Sequence, residues 1–262
     1  MNFLITLVKA VIPDRYHPIC GATYIRVSSF CLSISLVGNR FICPCCGWHF
    51  RKLLTYGLKP RKNALCPSCG SLERHRLLWL YLKNKTNLFT SHLKVLHIAP
   101  EPVFQKFFKS MPNLDYISVD LNSRYAMLNM DITNITYEDC LFDVILCSHV
   151  LEHVGDDRKA MRELHRVLKP GGWAILQVPF LSVLETTHED ANIKTPDERE
   201  LAFGLKDHVR TYGLDYKDRL EDAGFTVNVD QYVKSLSPEI VRVFCLNRDE
   251  NIYFCTKPSE SK

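Results

Sequence analysis

The sequence predicts an α/β protein with a doubly wound sheet and a small N-terminal cysteine module, and three observations carry that reading. Between Lys94 and Pro179, short apolar runs (K-V-L-H-I, Y-I-S-V-D, F-D-V-I-L-C-S and W-A-I-L-Q-V) recur with room for helices between them. A parallel sheet covered on both faces needs that alternation. Several of these runs end in a polar or acidic residue, the place where a nucleotide-like ligand is held across the carboxyl edge of such a sheet. Ahead of them, C-P-x-C-G occurs twice, at Cys43 and at Cys66.

The elements follow in order. Residues 1–40 form an extension with apolar patches at 3–12 and 27–37, and we assign it no role. Its first patch carries only Lys9, so packing against the rest of the protein is favoured over an amphipathic helix on a membrane surface, which stays open. Residues 41–85 hold the cysteine module and a helix over 71–85 with Leu72, Leu78 and Leu82 among its apolar positions. Strands are predicted at 94–98, 116–120, 143–147 and 173–178. Asp156 or Asp157 caps a helix over 158–168, whose Met161, Leu164, Val167 and Leu168 share one face before Pro170-Gly171-Gly172 ends it. Residues 201–212 read as a functional loop, 215–223 as a helix stopped by Gly224, and 225–233 with 252–256 as a closing strand pair.

Composition sets limits on function. With 46% hydrophobic and 24% charged residues, 262 residues bury a full core and suit one large domain with a small module. No apolar run reaches the roughly 18 residues of a membrane span, and no basic start or small-residue cleavage site precedes the first patch. Eleven cysteines scattered through strands as well as clustered near the front do not form a secreted disulfide framework. A cytoplasmic location is expected. The net charge of +4 hides an asymmetry: residues 40–85 carry ten Lys/Arg against the single Glu73. That excess points to an anionic partner.

The two C-P-x-C-G copies resemble zinc knuckles, in which two thiolates share one metal and the glycine lets the backbone turn toward sulfur. Cys43, Cys46, Cys66 and Cys69 are the expected ligands of a closed structural Zn2+ site, with Cys45 a spare thiol. Iron of the rubredoxin type or thiol redox chemistry are the alternatives. Arg51, Lys52, Lys59, Arg61, Lys62, Arg74 and Arg76, interleaved with Trp48, Phe50 and Tyr56, could contact RNA; a solvated basic face around a small aromatic core explains them equally well.

From Lys94 onward, H-I-A-P-E, Y-I-S-V-D-L, N-M-D-I-T, C-S-H-V-L-E-H-V and L-K-P-G-G-W resemble the class I S-adenosylmethionine-dependent methyltransferases over residues 92–258. The resemblance implies a seven-stranded Rossmann-like sheet. It further implies that Asp120 accepts the ribose hydroxyls of S-adenosylmethionine, that Asp131 meets the adenine amino group with Ile132 beside it, and that Cys147, Ser148 and His149 end the fourth strand near the methyl. The first loop departs from the family. His97 holds the usual acidic position, Ala99 and Pro100 replace the glycine-rich turn, and Glu101 either restores the carboxylate for the cofactor's ammonium or is a helix-start glutamate. A dinucleotide cofactor is disfavoured, since no glycine lies between Lys94 and Asp120 to cradle a pyrophosphate.

Methyl transfer needs alignment and, for a hydroxyl or acidic carbon, removal of a proton. His208, in D-H-V-R-T-Y, and His149 are the candidate bases, with Arg210 and Tyr212 orienting the acceptor; His153 is read as structural and His188 as part of a lid loop. The Pro-Pro-aromatic signature of amine methylation is missing after the fourth strand, which leaves oxygen or carbon acceptors. The expected activity is methylation of a small or carbohydrate-derived anionic acceptor. The alternatives are an RNA methyltransferase and a zinc-dependent nucleic-acid-binding protein whose sheet domain is inactive.

Overall fold

The computed structural model describes residues 33–122 and 125–259. Most of the predicted N-terminal extension lies outside the described residues. In chain order the elements are β1 (Val37–Ile42), β2 (His49–Phe50), β3 (Leu54–Tyr56), β4 (Arg61–Leu65), α1 (Glu73–Lys85), β5 (Leu93–Ile98), α2 (Pro102–Phe108), β6 (Leu114–Asp120), β7 (Leu128–Asn129), β8 (Phe142–Ser148), α3 (Asp157–Val167) and β9 (Leu168–Gln177). They continue with β10 (His188–Glu189), α4 (Pro196–Phe203), β11 (Arg210–Thr211), α5 (Tyr216–Asp222), β12 (Thr226–Asp230), α6 (Tyr232–Ser235), α7 (Pro238–Val243) and β13 (Ile252–Thr256). The chain forms two compact units, one reaching Tyr81 and taking in Val233–Asp249, the other made of Leu82–Tyr232 and the segment from Glu250.

In the sheet unit the strand order is β12-β13-β9-β8-β5-β6-β7. β5 pairs in parallel with both β6 and β8, whereas β13 runs antiparallel to β9 and to β12. The chain therefore leaves β5 toward β6 and β7, then returns to β8 and β9 on the other side. That reversal opens a crevice at the carboxyl ends of β5 and β8.

The central strands β5, β8 and β9 are buried along most of their length, which is why the sequence there reads as unbroken apolar runs rather than alternation. Ile98, Val119, Ile145, Cys147, Ala174 and Leu176 join Met161, Leu164 and Val167 of α3 in one core. Asp156 caps α3 by accepting from the Lys159 amide at 2.9 Å, as expected from its position before the apolar face. The Pro170-Gly171-Gly172 stop falls elsewhere: α3 ends at Val167, and the three residues lie within β9, where Gly171 takes φ of +75°. The predicted loop 201–212 also begins later. α4 runs through Phe203, closed by a Thr195/Glu198 capping box at one end and left-handed Gly204 at the other.

In the first unit, β1 pairs with β2 and β3 with β4, both antiparallel, around buried Phe41, Phe50, Leu53 and Ala64. Arg76 is 0% exposed. Its guanidinium donates to the carbonyls of Ala64, Ser71, Asn63, Cys245 and Phe244 at 2.7–3.3 Å. This corrects its reading as a phosphate-gripping residue, since every donor is turned inward to backbone oxygen. Val233–Asp249 belongs to this first unit, and Arg76 binds two of its carbonyls.

Candidate cofactor cleft and cysteine centre

The switch point of the sheet holds a cleft of about 680 Å³. Ile98 and Ala99 reach it from the end of β5, Asp120 and Asn122 from β6, Met130, Asp131, Ile132 and Thr133 from beyond β7, and His149 from the end of β8. Val154, Gly155 and Asp156 border it from the turn leading into α3, joined by His153 and Asp207. Of the expected cofactor residues, Ala99, Asp120, Asp131 and Ile132 line the cleft. Both acids are oriented by local turns: Asp120 Oδ1 accepts from the Asn122 amide and Asp131 Oδ1 from the Thr133 amide, each at 2.8 Å.

The glycine-free first loop turns at Ala99, which adopts φ of +45°. A non-glycine residue rarely occupies this left-handed region, and such strain is held where surrounding structure fixes it. Here the Ala99 amide donates to the Val119 carbonyl at 2.8 Å. His97 is not in the cleft: it is 1% exposed, with Nδ1 2.9 Å from the Tyr116 hydroxyl and Nε2 2.8 Å from Glu101 Oε2. Burial pushes the Tyr116 phenol up, so it stays a donor. With Tyr116 donating to Nδ1, His97 donates from Nε2 to Glu101. The Glu101 side chain makes no cap hydrogen bond to α2, although the residue stands at its N-cap. Its carboxylate is held by a buried imidazole instead.

Cys147 is fully buried, and burial raises its thiol above the ordinary range, so it packs beneath the strand end as an inert side chain. Ser148 ends β8 half-buried. His149 follows with φ of +56° and lines the cleft. Its Nδ1 lies 3.4 Å from Glu152 Oε1, while Nε2 has no hydrogen-bond partner among the described residues.

His208 does not line the cleft. It is buried and packs edge-on against the His153 ring at 4.8 Å, and burial holds it below the usual histidine range. Arg210 and Tyr212, expected beside the acceptor, are also turned inward. Arg210 donates to the carbonyls of Leu151, Val154 and Gly155 and to Glu189, while the Tyr212 hydroxyl donates to Asp157 Oδ2 at 2.7 Å. Arg219 completes this network through Asp157, Glu189 and Asp215. Burial disfavours the Glu189 charge, but hydrogen bonds from Arg219 and Arg210 hold its carboxyl below the usual range. These groups position the turn that carries Glu152 and His153. Glu152 escaped the sequence reading, and His153 was set aside; the available signal was H-x-x-E-H, which places His149, Glu152 and His153 within one helical turn.

In the cysteine centre, Cys43, Cys46, Cys66 and Cys69 converge with all four sulfurs within 4.8 Å. Cys43 and Cys69 sulfurs are 3.6 Å apart, Cys46 and Cys66 sulfurs 3.8 Å. A tetrahedral ion with bonds of about 2.3 Å separates its sulfurs by about 3.8 Å, so the cradle fits zinc. The two knuckles have the same backbone. Gly47 and Gly70 take φ of +74° and +73°, and their amides donate to the Cys43 and Cys66 carbonyls at 2.8 and 3.0 Å. A side chain there would be strained. The Ser71 hydroxyl lies 3.1 Å from Cys43 Sγ, an outer-shell contact of the kind that orients a ligand. Cys45 is directed elsewhere, its thiol 3.7 Å from the His75 carbonyl.

A parallel sheet interrupted by antiparallel β13, with two acids at its switch-point cleft, defines a class I methyltransferase domain. Residues 89–176 match the methyltransferase domain family, and this match supports an S-adenosylmethionine-dependent methyltransferase. The chain is similar to the solved structure of an S-adenosylmethionine-dependent methyltransferase from Mesorhizobium loti, with 17% identity over 68% of this chain and 96% of that one, at a TM-score of 0.45. It is also similar to the YcgJ protein from Bacillus subtilis, with 20% identity over 69% of this chain and 94% of that one, at a TM-score of 0.43. No curated protein matches the sequence significantly. Among the described residues, no helix is long and apolar enough to cross a membrane.

Proposed function

We propose that this methyltransferase acts on an oxygen or carbon atom of a small, anionic, carbohydrate-derived acceptor in the cytoplasm, with a structural Zn2+ held by Cys43, Cys46, Cys66 and Cys69. The observation that carries the cofactor assignment is the pair of carboxylates, Asp120 and Asp131, on adjacent strand ends around one cleft. Asp120 accepts from the two ribose hydroxyls, which a single carboxylate can do with its two oxygens. Asp131 accepts from the adenine amino group, and Ile132 packs on the ring. Glu101, held by His97, pairs with the ammonium at the other end, where the usual acid is missing.

When bound between these residues, S-adenosylmethionine would supply an activated methyl carbon on its sulfonium, leaving the chain's own residues to align the acceptor and take its proton. His149, held through Nδ1 by Glu152, is the base for the acceptor's proton. It replaces His208 as the preferred base because it lines the cleft. Within the first unit, Arg40, Arg51, Lys52 and Lys62 surround a concavity of about 260 Å³, which supports an anionic partner for that unit.

The test is calorimetric titration of the zinc-loaded protein with S-adenosylmethionine and S-adenosylhomocysteine, then transfer of a labelled methyl to nucleotide-linked sugars. Micromolar binding, about −8 kcal/mol, is expected for both. No binding of either overturns the cofactor assignment. Labelling of RNA in place of the sugars overturns the acceptor. His149→Ala is expected to slow turnover about 100-fold at unchanged cofactor affinity.

A further inference from the structure

We propose that Glu152, His153 and His208 bind a first-row divalent metal ion at the edge of the methyl-transfer cleft. One ligand atom from each lies within 4.8 Å of the other two. Glu152 and His153 belong to the turn after β8, and His208 to the segment before β11. The Val209 amide, donating to the Glu152 carbonyl at 2.9 Å, and the Arg210 guanidinium, donating to the Leu151, Val154 and Gly155 carbonyls, bring them together.

The placement of protons makes this trio a ligand set. His153 Nδ1 stands 3.1 Å from the Asp207 carbonyl oxygen, which can only accept, and 3.4 Å from Asp207 Oδ2. Nδ1 therefore carries the hydrogen, and Nε2 presents a lone pair toward Glu152 Oε1 at 4.0 Å. Metal-binding histidines are tied in this way, one nitrogen donating to a carbonyl or carboxylate and the other left bare. His208 is buried and packs edge-on against the His153 ring at 4.8 Å.

Glu152 supplies the second observation. It is 1% exposed, and its Oε2 has no hydrogen-bond partner among the described residues. No lysine or arginine pairs with it among them; its neighbours are His149 Nδ1 at 3.4 Å and His153 Nε2 at 4.0 Å from the other oxygen. A buried carboxylate facing a bare imidazole lone pair is costly until a cation joins them.

Two imidazoles and one carboxylate suit Zn2+, Mn2+ or Fe2+, whereas Mg2+ and Ca2+ prefer all-oxygen sets. His153 and Asp207 line the cleft, so an ion held by this trio would sit at the cleft's edge. Its role rests on the methyl-transfer reading above: the ion would hold the acceptor's oxygen and lower the pKa of its hydroxyl, while His149 removes the proton.

The experiment is an Mn2+ titration of the full chain brought to one Zn2+ per chain, enough to fill the cysteine centre alone, followed by electron paramagnetic resonance of free Mn2+. Thiolates select Zn2+ over Mn2+, so the cysteine centre stays silent. Saturable binding of one Mn2+ per chain is expected, weakened at least tenfold by His153→Ala with zinc content and circular dichroism unchanged. Glu152→Gln gives a second variant that keeps the side-chain volume and should weaken Mn2+ equally. Absence of saturable binding, or equal affinity in folded His153→Ala, overturns the proposal. S-Adenosylmethionine affinity, measured on the same samples, separates the two readings. Cofactor binding without Mn2+ binding removes the metal site alone, and Mn2+ binding without cofactor binding removes the methyl-transfer reading and the ion's role in it.

Discussion

Glu101→Gln isolates the charge that replaces the missing acid of the first loop. Glutamine keeps a carbonyl oxygen to accept from His97 Nε2, now bonded at 2.8 Å, so the buried His97 and Tyr116 pair is preserved. Stability should change by less than about 1 kcal/mol, the scale of one retained neutral hydrogen bond. The binding change is larger. A carboxylate about 4 Å from an ammonium gains about 4 kcal/mol at the effective dielectric of a protein surface, part of it offset by desolvation. A charge-assisted hydrogen bond retains about 1.5–3 kcal/mol net, so affinity for S-adenosylmethionine should fall about 10- to 150-fold. The assay is calorimetric titration with two ligands, S-adenosylmethionine and 5′-methylthioadenosine, which has the nucleoside but no amino acid. Only the first should weaken. Equal affinity for S-adenosylmethionine in a folded variant, or parallel loss for both ligands, would refute the assignment of Glu101 to the ammonium.

The opposite end of the cleft gives the complementary result: Asp120→Ala should weaken both ligands about tenfold to 100-fold, since both carry the ribose, and calorimetry that finds methylthioadenosine unaffected misplaces the ribose site. Cys66→Ser should drop the zinc content measured by atomic absorption and lower the melting temperature, because a four-sulfur site that loses one ligand no longer closes around the ion. Tyr212→Phe leaves Asp157 Oδ2 without its 2.7 Å donor and should cost about 1–3 kcal/mol in urea unfolding, with no direct loss of cofactor affinity because Tyr212 is buried away from the cleft.

The sheet was legible because buried parallel strands leave a signature that no other element leaves: unbroken apolar runs, each closed by a residue that must face ligand. The resemblance to the class I methyltransferases pointed to Asp120 and Asp131 at those strand ends, and both line the cleft. His97 could not be placed, because its position along β5 marks it as a strand-end residue while its partners, Tyr116 and Glu101, come from β6 and the start of α2. Arg76, Arg210 and Tyr212 misled for a shared physical reason. A charged or phenolic side chain in a polar segment reads as solvent-facing, yet a guanidinium can be buried wherever backbone carbonyls converge on its donors. The carbonyls of Phe244 and Cys245, which receive two of the Arg76 bonds, likewise carry no side-chain signal that a sequence pattern could show. Glu152 was overlooked because an acid inside an apolar word looks like a solvated helix position, whereas here it is buried.

Burial also decides how the basic module is weighed against the nucleic-acid alternative. Of the residues that could have gripped a strand, Phe50 is fully buried, Arg76 is consumed by carbonyls, and Arg61 pairs with Glu73 at 3.0 Å. The exposed cations Arg40, Arg51, Lys52 and Lys62 gather around one small concavity, a shape suited to a compact anion rather than to a backbone with phosphates at regular intervals. Each phosphate neutralised on a single strand adds about 0.7 to the salt slope, so four cations give a log–log slope of about −3 at most. Fluorescence anisotropy with a labelled single-stranded RNA, measured from low to physiological salt, should therefore show weak binding with a slope no steeper than that. A slope near −6 would require phosphate contacts from cations beyond these four, and would put the RNA methyltransferase reading ahead of the small acceptor.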